Sequence, residues 1–311
     1  MSKFLISCVA ASALIFTSCK ENKTETTDVN VEKVSVEHLS GTTEVNVNPK
    51  NTVVLTYGIM DSFDDLGIEF KGAPKGNIPE YLSKYANDTN ITDVGGIKEP
   101  NMEKVNAIEP ELIIISARTA SMYDEFTKIA PTVNLDIDIK DYMNSFKANQ
   151  RTIGKLFGKE EQVEKELKVI DERVAKINET TAKSTKTALV VLANEGRLSA
   201  YGKGSRFGII HDVFGVKPAD QNIEASTHGQ AISNEFIKEL NPDYIFVIDR
   251  GAAIKRATMG KEEFANALVK QTNAYKNDKI IFLNPEVWYL SGGGFKSIKM
   301  MLDEVEQAIA E

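Results

Sequence analysis

The sequence predicts an α/β protein of two lobes bridged by one long helix. Six short apolar runs alternate with helical patterns, and a strand-plus-arginine unit occurs twice, at residues 118 and 250. A stretch without strand signal separates the two copies. With 311 residues, 42% hydrophobic and 26% charged, the chain has ample apolar content for a packed core, which excludes disorder. The length suits two domains of about 100–200 residues each.

Residues 1–18 read as a signal peptide. Lys3 precedes an apolar run from Phe4 to Phe16, small Thr17 and Ser18 follow, and then comes Cys19. That run is shorter than the roughly 20 apolar residues of a membrane span. Cysteine directly after small residues resembles a bacterial lipobox, with Phe16 where the common pattern has Leu. Cleavage there discards Cys8 and leaves Cys19 as the sole thiol, which cannot form an internal disulfide and is the candidate lipidation site. Of 37 basic residues Lys3 is lost while all 45 acids stay, so the formal charge moves from -8 to -9. Residues 19–31 are polar and read as a flexible tether.

An N-terminal lobe is expected over 32–141. The alternating stretch Val34–Val47, turning at Ser40-Gly41, reads as a hairpin. The apolar runs 52–57, 111–116 and 132–137 read as strands buried on both faces. A bridging helix is expected over 142–183, where Val163, Leu167, Ile170, Val174 and Ile177 recur on one helical stripe and Phe146, Ile153 and Leu156 extend it upstream. A C-terminal lobe over 184–311 follows, with strands at 187–193, 243–248 and 279–284 and a last helix from Phe295. The repeat pairs Ile108–Arg118 with Leu240–Arg250. In each copy a proline precedes a buried strand, and an arginine sits just past its carboxyl end, where open α/β sheets bind ligands. Two such units suggest a shared cleft.

Of three histidines, His38 reads as surface and His211 as packing. His228 lies in the small polar loop Glu224–Gln230, where no core role is available, and is a binding candidate. Tyr289 stands in a loop ahead of Gly292-Gly293-Gly294, either as an exposed phenol or as a lid over the core. Arg206 follows the turn Gly202–Ser205, whose serine reads as an N-cap. A cation in a first helical turn opposes the helix dipole, so Arg206 is either an anion-binding group or a solvated charge.

The lipobox, the two α/β lobes, the bridging helix and the order Arg118, Arg206, His228, Arg250, Tyr289 resemble the class III periplasmic binding proteins of iron–siderophore ABC importers, in the catecholate (petrobactin- and enterobactin-type) group. That resemblance implies two Rossmann-like lobes on a helical backbone. It implies His228 and Tyr289 as ligands completing the Fe(III) shell, and Arg118, Arg206 and Arg250 lining the cleft. No intrinsic cofactor is implied: Fe(III) arrives as a siderophore complex. The implied partners are a ferric catecholate siderophore, an ABC permease and its ATPase. The receptor is expected as a monomer, exported and lipid-anchored to a bacterial membrane. The same fold also serves haem, hydroxamate and cobalamin binders. Tyr57 and Trp288 are candidates for aromatic surface against the ligand rings, and equally for the core.

The chemistry agrees. Fe(III) is a hard cation that prefers anionic oxygen, and imidazole is a competent ligand. Two catecholates leave two of six positions open, which one imidazole and one phenolate close. A bis-catecholate ferric complex carries -1 and a tris-catecholate -3, so an acidic protein must gather cations locally, and arginine's planar donor fork suits catecholate oxygens. An acidic chain lacks the basic excess a nucleic-acid partner requires. No nucleophile–base pair, GxSxG, HExxH or P-loop is found, so an enzyme is not expected.

Overall fold

The computed structural model describes residues 32–310. The expected signal peptide, the expected lipidation site Cys19 and the expected tether fall outside the described residues. No described helix is long and apolar enough to cross a membrane.

The chain opens with the expected hairpin, β1 (Lys33–His38) and β2 (Gly41–Asn46), in antiparallel register from Lys33–Asn46 to His38–Gly41. Val34, Val36 and Val45 turn inward and their neighbours outward, and the two-residue turn leaves Leu39 60% exposed. The first lobe then alternates β3 (Thr52–Val54), α1 (Tyr57–Leu66), β4 (Gly72–Ala73), β5 (Thr92–Asp93), α2 (Met102–Ala107), β6 (Leu112–Ile115), α3 (Tyr123–Phe126) and β7 (Thr132–Asn134). All its strand pairs are parallel, in the order β5-β4-β3-β6-β7. Every residue of β3, β6 and β7 is buried, as continuous apolar runs demand when helices cover both faces.

The expected bridging helix is two helices. α4 (Tyr142–Phe157) ends at Gly158, whose φ of 62° ends the helix in the left-handed region, and α5 (Glu160–Lys183) starts anew. The two run antiparallel, joined by Lys147–Asp171 at 2.7 Å and Arg151–Glu164 at 2.6 Å. The bridge proper is α5, 24 residues and about 36 Å long. Its stripe of Val163, Leu167, Ile170 and Ile177 is buried as its spacing predicts.

The second lobe comprises β8 (Thr187–Asn194), β9 (Arg197–Tyr201), α6 (Ile209–Asp212), β10 (Lys217–Pro218), β11 (Gln230–Ile232), α7 (Asn234–Leu240), β12 (Tyr244–Asp249), α8 (Arg250–Ala253), α9 (Lys261–Phe264), α10 (Asn273–Lys276) and β13 (Ile280–Phe282). A π-helical turn (Glu286–Ser291) and α11 (Phe295–Ile309) follow. Its sheet runs β11-β9-β8-β12-β13, with β10 also on β8. β8, β12 and β13 are parallel, β9 runs antiparallel to β8, and β11 pairs antiparallel with β9.

The segment 184–311 does not stay within one lobe. Backbone N–H groups of Lys296 and Ser297 donate to the buried Asp61 carboxylate on α1 at 2.9 and 2.7 Å, and Phe295 meets Phe146 edge to face. Farther along, Arg173 of α5 binds Asp303 and Glu306, and Lys279 beside β13 donates to the Ala308 carbonyl. Thus α11 lies along α5 and makes a second bridge, and the chain crosses back between the lobes at Tyr289.

Candidate functional site

Arg118 and Arg250 occupy equivalent places. Arg118 follows β6, and Arg250 is the first residue of α8, straight after β12. Both parent strands are interior, each the fourth of five in its strand order, and both arginines emerge just past the strands' carboxyl ends. Asp249 caps α8 by accepting from the Ala252 N–H at 3.1 Å and holds the next loop through the Met259 N–H at 2.7 Å. Arg206 is positioned otherwise than its sequence suggests. Residues 203–208 form turns and α6 begins only at Ile209, so Ser205 is no N-cap and Arg206 opposes no dipole. The Arg206 N–H instead donates to the Ser226 carbonyl at 3.2 Å, tying it to the His228 loop.

Tyr289 is in the π-helical turn rather than a loop. The asparagine Asn284 accepts from the N–H groups of Glu286 and Val287, starting the turn. A π-turn pairs residues five apart, so carbonyls near its end lack an intrahelical partner. The Tyr289 carbonyl is such a group, and it accepts from Arg118 Nη2 at 2.6 Å and Arg206 Nη2 at 2.8 Å. Its phenol oxygen takes Arg250 Nε at 2.8 Å, while Arg250 Nη1 reaches Asn194 Oδ1 at 2.8 Å. The Arg206 guanidinium also lies 4.4 Å from the ring centroid. Burial alone would raise the phenol's pKa, but the Arg250 hydrogen bond and the charges of Arg206 and Arg250 outweigh it and leave it below its ordinary value. Arg118 is pushed down to about 10, first by burial and then by Arg206.

His228 is exposed and held through its backbone: its carbonyl accepts from Tyr201 OH at 2.9 Å and its N–H donates to Ser226 Oγ at 3.0 Å. The adjacent Gly229 has φ 74°, and a Cβ there would stand 2.7 Å from the Tyr201 ring, so the loop requires glycine. Gly292–Gly294 form no phosphate cradle. A Cβ on Gly294 would meet Asp61 Oδ2 at 2.3 Å, so the glycines let the chain press against α1.

His228, Tyr289 and all three arginines line one cavity of about 1090 Å³. A second, of about 790 Å³, adjoins it over the second lobe and shares His228, Tyr289, Arg206, Arg250, Asn194 and Arg197. Two aromatic candidates fare differently. Tyr57 is 1% exposed and absent from both walls, so its assignment as a ligand-facing residue is corrected. Its strand ends at Val54, and as the first residue of α1 it turns into the core, where burial raises its phenol to about 12. Trp288 lies in the cavity floor, buried, with its indole N–H donating to Glu304 at 2.7 Å. His38 lies outside the cavity wall, and His211 is buried with Nδ1 2.8 Å from the Val216 carbonyl.

Sequence reasoning missed three cations of the same wall, Lys98, Arg197 and Arg256. In all, six Lys and Arg side chains line the larger cavity against three carboxylates, Asp136, Asp138 and Glu195, a net of three positive charges in an acidic protein. Among the described residues none of the six forms a salt bridge. Such a wall is built for an anion.

Two α/β lobes, one on a parallel sheet and one on a mixed sheet, joined by a helical bridge with a ligand cleft at their strand ends, define a solute-binding protein. The profile of the family described as Periplasmic binding protein matches residues 52–287, and the chain belongs to that family. It is 46% identical to the petrobactin-binding protein YclQ of Bacillus subtilis, over 99% of both chains. The crystal structure of that protein superposes with a TM-score of 0.88 at 48% identity, covering 90% of this chain and 99% of the other. The ferric-anguibactin-binding protein FatB of Vibrio anguillarum is 34% identical over 96% of this chain and 95% of that protein. The periplasmic catecholate-siderophore binding protein VctP of Vibrio cholerae matches at TM-score 0.85 and 32% identity, covering 89% of this chain and all of the other.

Proposed function

We propose that this chain captures ferric catecholate siderophores outside the cytoplasm and hands them to an ABC permease and its ATPase, while tethered to the membrane by lipid on Cys19. The observation that carries the reading is the wall of six cations around Tyr289 and His228, none of them in a salt bridge among the described residues. Its net of three positive charges matches a tris-catecholate ferric complex of -3. For a bis-catecholate complex of -1, the His228 imidazole and the Tyr289 phenolate fill the two open iron positions. Arg118, Arg206 and Arg250 donate to catecholate oxygens, with guanidinium forks already oriented by the Tyr289 carbonyl and phenol. Trp288 contributes to the floor beneath the ligand rings. The family and its relatives support a transport role rather than catalysis.

Fluorescence-quenching titration against ferric siderophores of differing charge tests this. Tris- and bis-catecholate complexes should bind at least tenfold more tightly than a neutral hydroxamate complex. Tighter binding of the hydroxamate, haem or cobalamin would reject the catecholate assignment. Mature protein should partition into detergent, and Cys19→Ala should abolish that partition; an unchanged partition would remove the lipid anchor.

A further inference from the structure

The cavity's cations fall into two physical sets. Arg118, Arg206 and Arg250 are half-buried, and each is pinned by hydrogen bonds to Tyr289. Lys98, Arg197 and Arg256 are exposed, and no carboxylate among the described residues pairs with them. Their backbones are nonetheless fixed. Arg197 closes the two-residue β8–β9 turn, where Glu195 and Gly196 have φ of 51° and 78° and Asn194 pairs with Arg197. The Arg256 N–H donates to the Gly251 carbonyl at 2.8 Å. Lys98 sits in a tight turn between Gly95 and Pro100, closed by Gly96 N–H to the Glu99 carbonyl. Lys98 comes from the first lobe and the two arginines from the second.

Resting on the ferric-chelate reading above, we propose that Lys98, Arg197 and Arg256 form an outer ring that speeds entry of ferric chelates, and that it grades them by net negative charge. The two sets differ in what they can contribute. Pinned, half-buried donors act at contact and govern how long a ligand stays. Exposed charges act at a distance and govern encounter. An acidic protein repels an anion unless its mouth is locally positive. The exposed acids of the same wall are Asp138 and Glu195, so three cations leave the rim one charge positive. Removing two arginines reverses that sign.

Stopped-flow quenching with Fe(III) complexes of synthetic tris- and bis-catechol ligands tests this in the full mature protein. At low ionic strength, Arg197→Ala/Arg256→Ala should slow association of the -3 complex about tenfold and of the -1 complex about twofold, with dissociation unchanged. The difference should vanish as salt shortens the screening length below about 10 Å. Arg197→Glu should slow association further. Association rates equal to those of the unmodified protein would overturn the proposal, as would a loss confined to dissociation, which would make these residues contact groups. If the unmodified protein bound neither complex, the ferric-catecholate reading itself would fall and this one with it.

Discussion

The two walls of the cleft are chemically unlike. From the first lobe come Leu39, Ile59, Leu135, Ile137 and Ile139, and its charges balance, Lys98 and Arg118 against Asp136 and Asp138. From the second lobe come Arg197, Arg206, Arg250 and Arg256 against Glu195 alone, together with His228. One lobe therefore supplies a charge-balanced surface carrying five large aliphatic side chains, and the other supplies the whole net charge. A chelate of flat aromatic rings around an anionic metal centre has both faces to satisfy. On this account the second lobe supplies the excess charge and the imidazole, and the first lobe adds Arg118 and Lys98 to a wall with more surface for the rings. Tyr289 belongs to the crossing between them, with its carbonyl held from both lobes by Arg118 and Arg206.

That comparison breaks most sharply at Arg250. Arg250→Ala removes the donor to the phenol and to Asn194 and should weaken tris-catecholate binding about a hundredfold, measured by quenching titration, since truncating one partner of a half-buried charged pair costs about 2–5 kcal/mol. It also returns the phenol towards its ordinary pKa. Iron capture by Tyr289 needs the phenolate, so affinity for bis-catecholates should rise with pH, and in the variant that rise should lie at higher pH. A smaller effect is expected at the aliphatic side chains of the first wall. Ile137→Ser, tested alongside Leu39→Ser, should cost about 1 kcal/mol of binding, roughly equally for complexes of -3 and -1. A cost that scaled with ligand charge would dissolve the distinction between the walls. Least of all, Asp136→Asn removes a carboxylate whose pKa burial raises and whose neighbours Arg118 and Arg206 oppose that rise. It should strengthen tris-catecholate binding about threefold by isothermal titration, because the first wall then gains a net positive charge.

Much of this was legible in the residues, for physical reasons. β6 and β12 are unbroken apolar runs after a proline, so their strand ends, and with them Arg118 and Arg250, could be placed without coordinates. His228 stood out because a glycine-flanked polar loop offers it no core. What stayed hidden depends on short-range geometry. β4, β5 and β10 have two residues each, too few for any periodicity to register. The β8–β9 hairpin turns on Glu195-Gly196, and glutamate at positive φ is an unfamiliar turn residue, so nothing in the sequence marks Arg197 as lying at a turn beside the cleft. For Arg206 the sequence points to the right residue for the wrong reason: an N-cap at Ser205 would start the helix at Arg206, whereas it starts three residues later, at Ile209. The stripe on α5 was visible, but Gly158 as a terminator was overrun by the apolar pattern on both sides of it.

The most direct test is the visible charge-transfer spectrum of a ferric bis-catecholate bound to the protein and to its Tyr289→Phe and His228→Ala variants. A phenolate and an imidazole in the iron shell predict a band that shifts in each variant, while the tris-catecholate complex, already six-coordinate, shows the same spectrum in all three proteins. Bis-catecholate spectra that stay identical across the three would contradict it, leaving an anion cleft in which neither side chain touches iron.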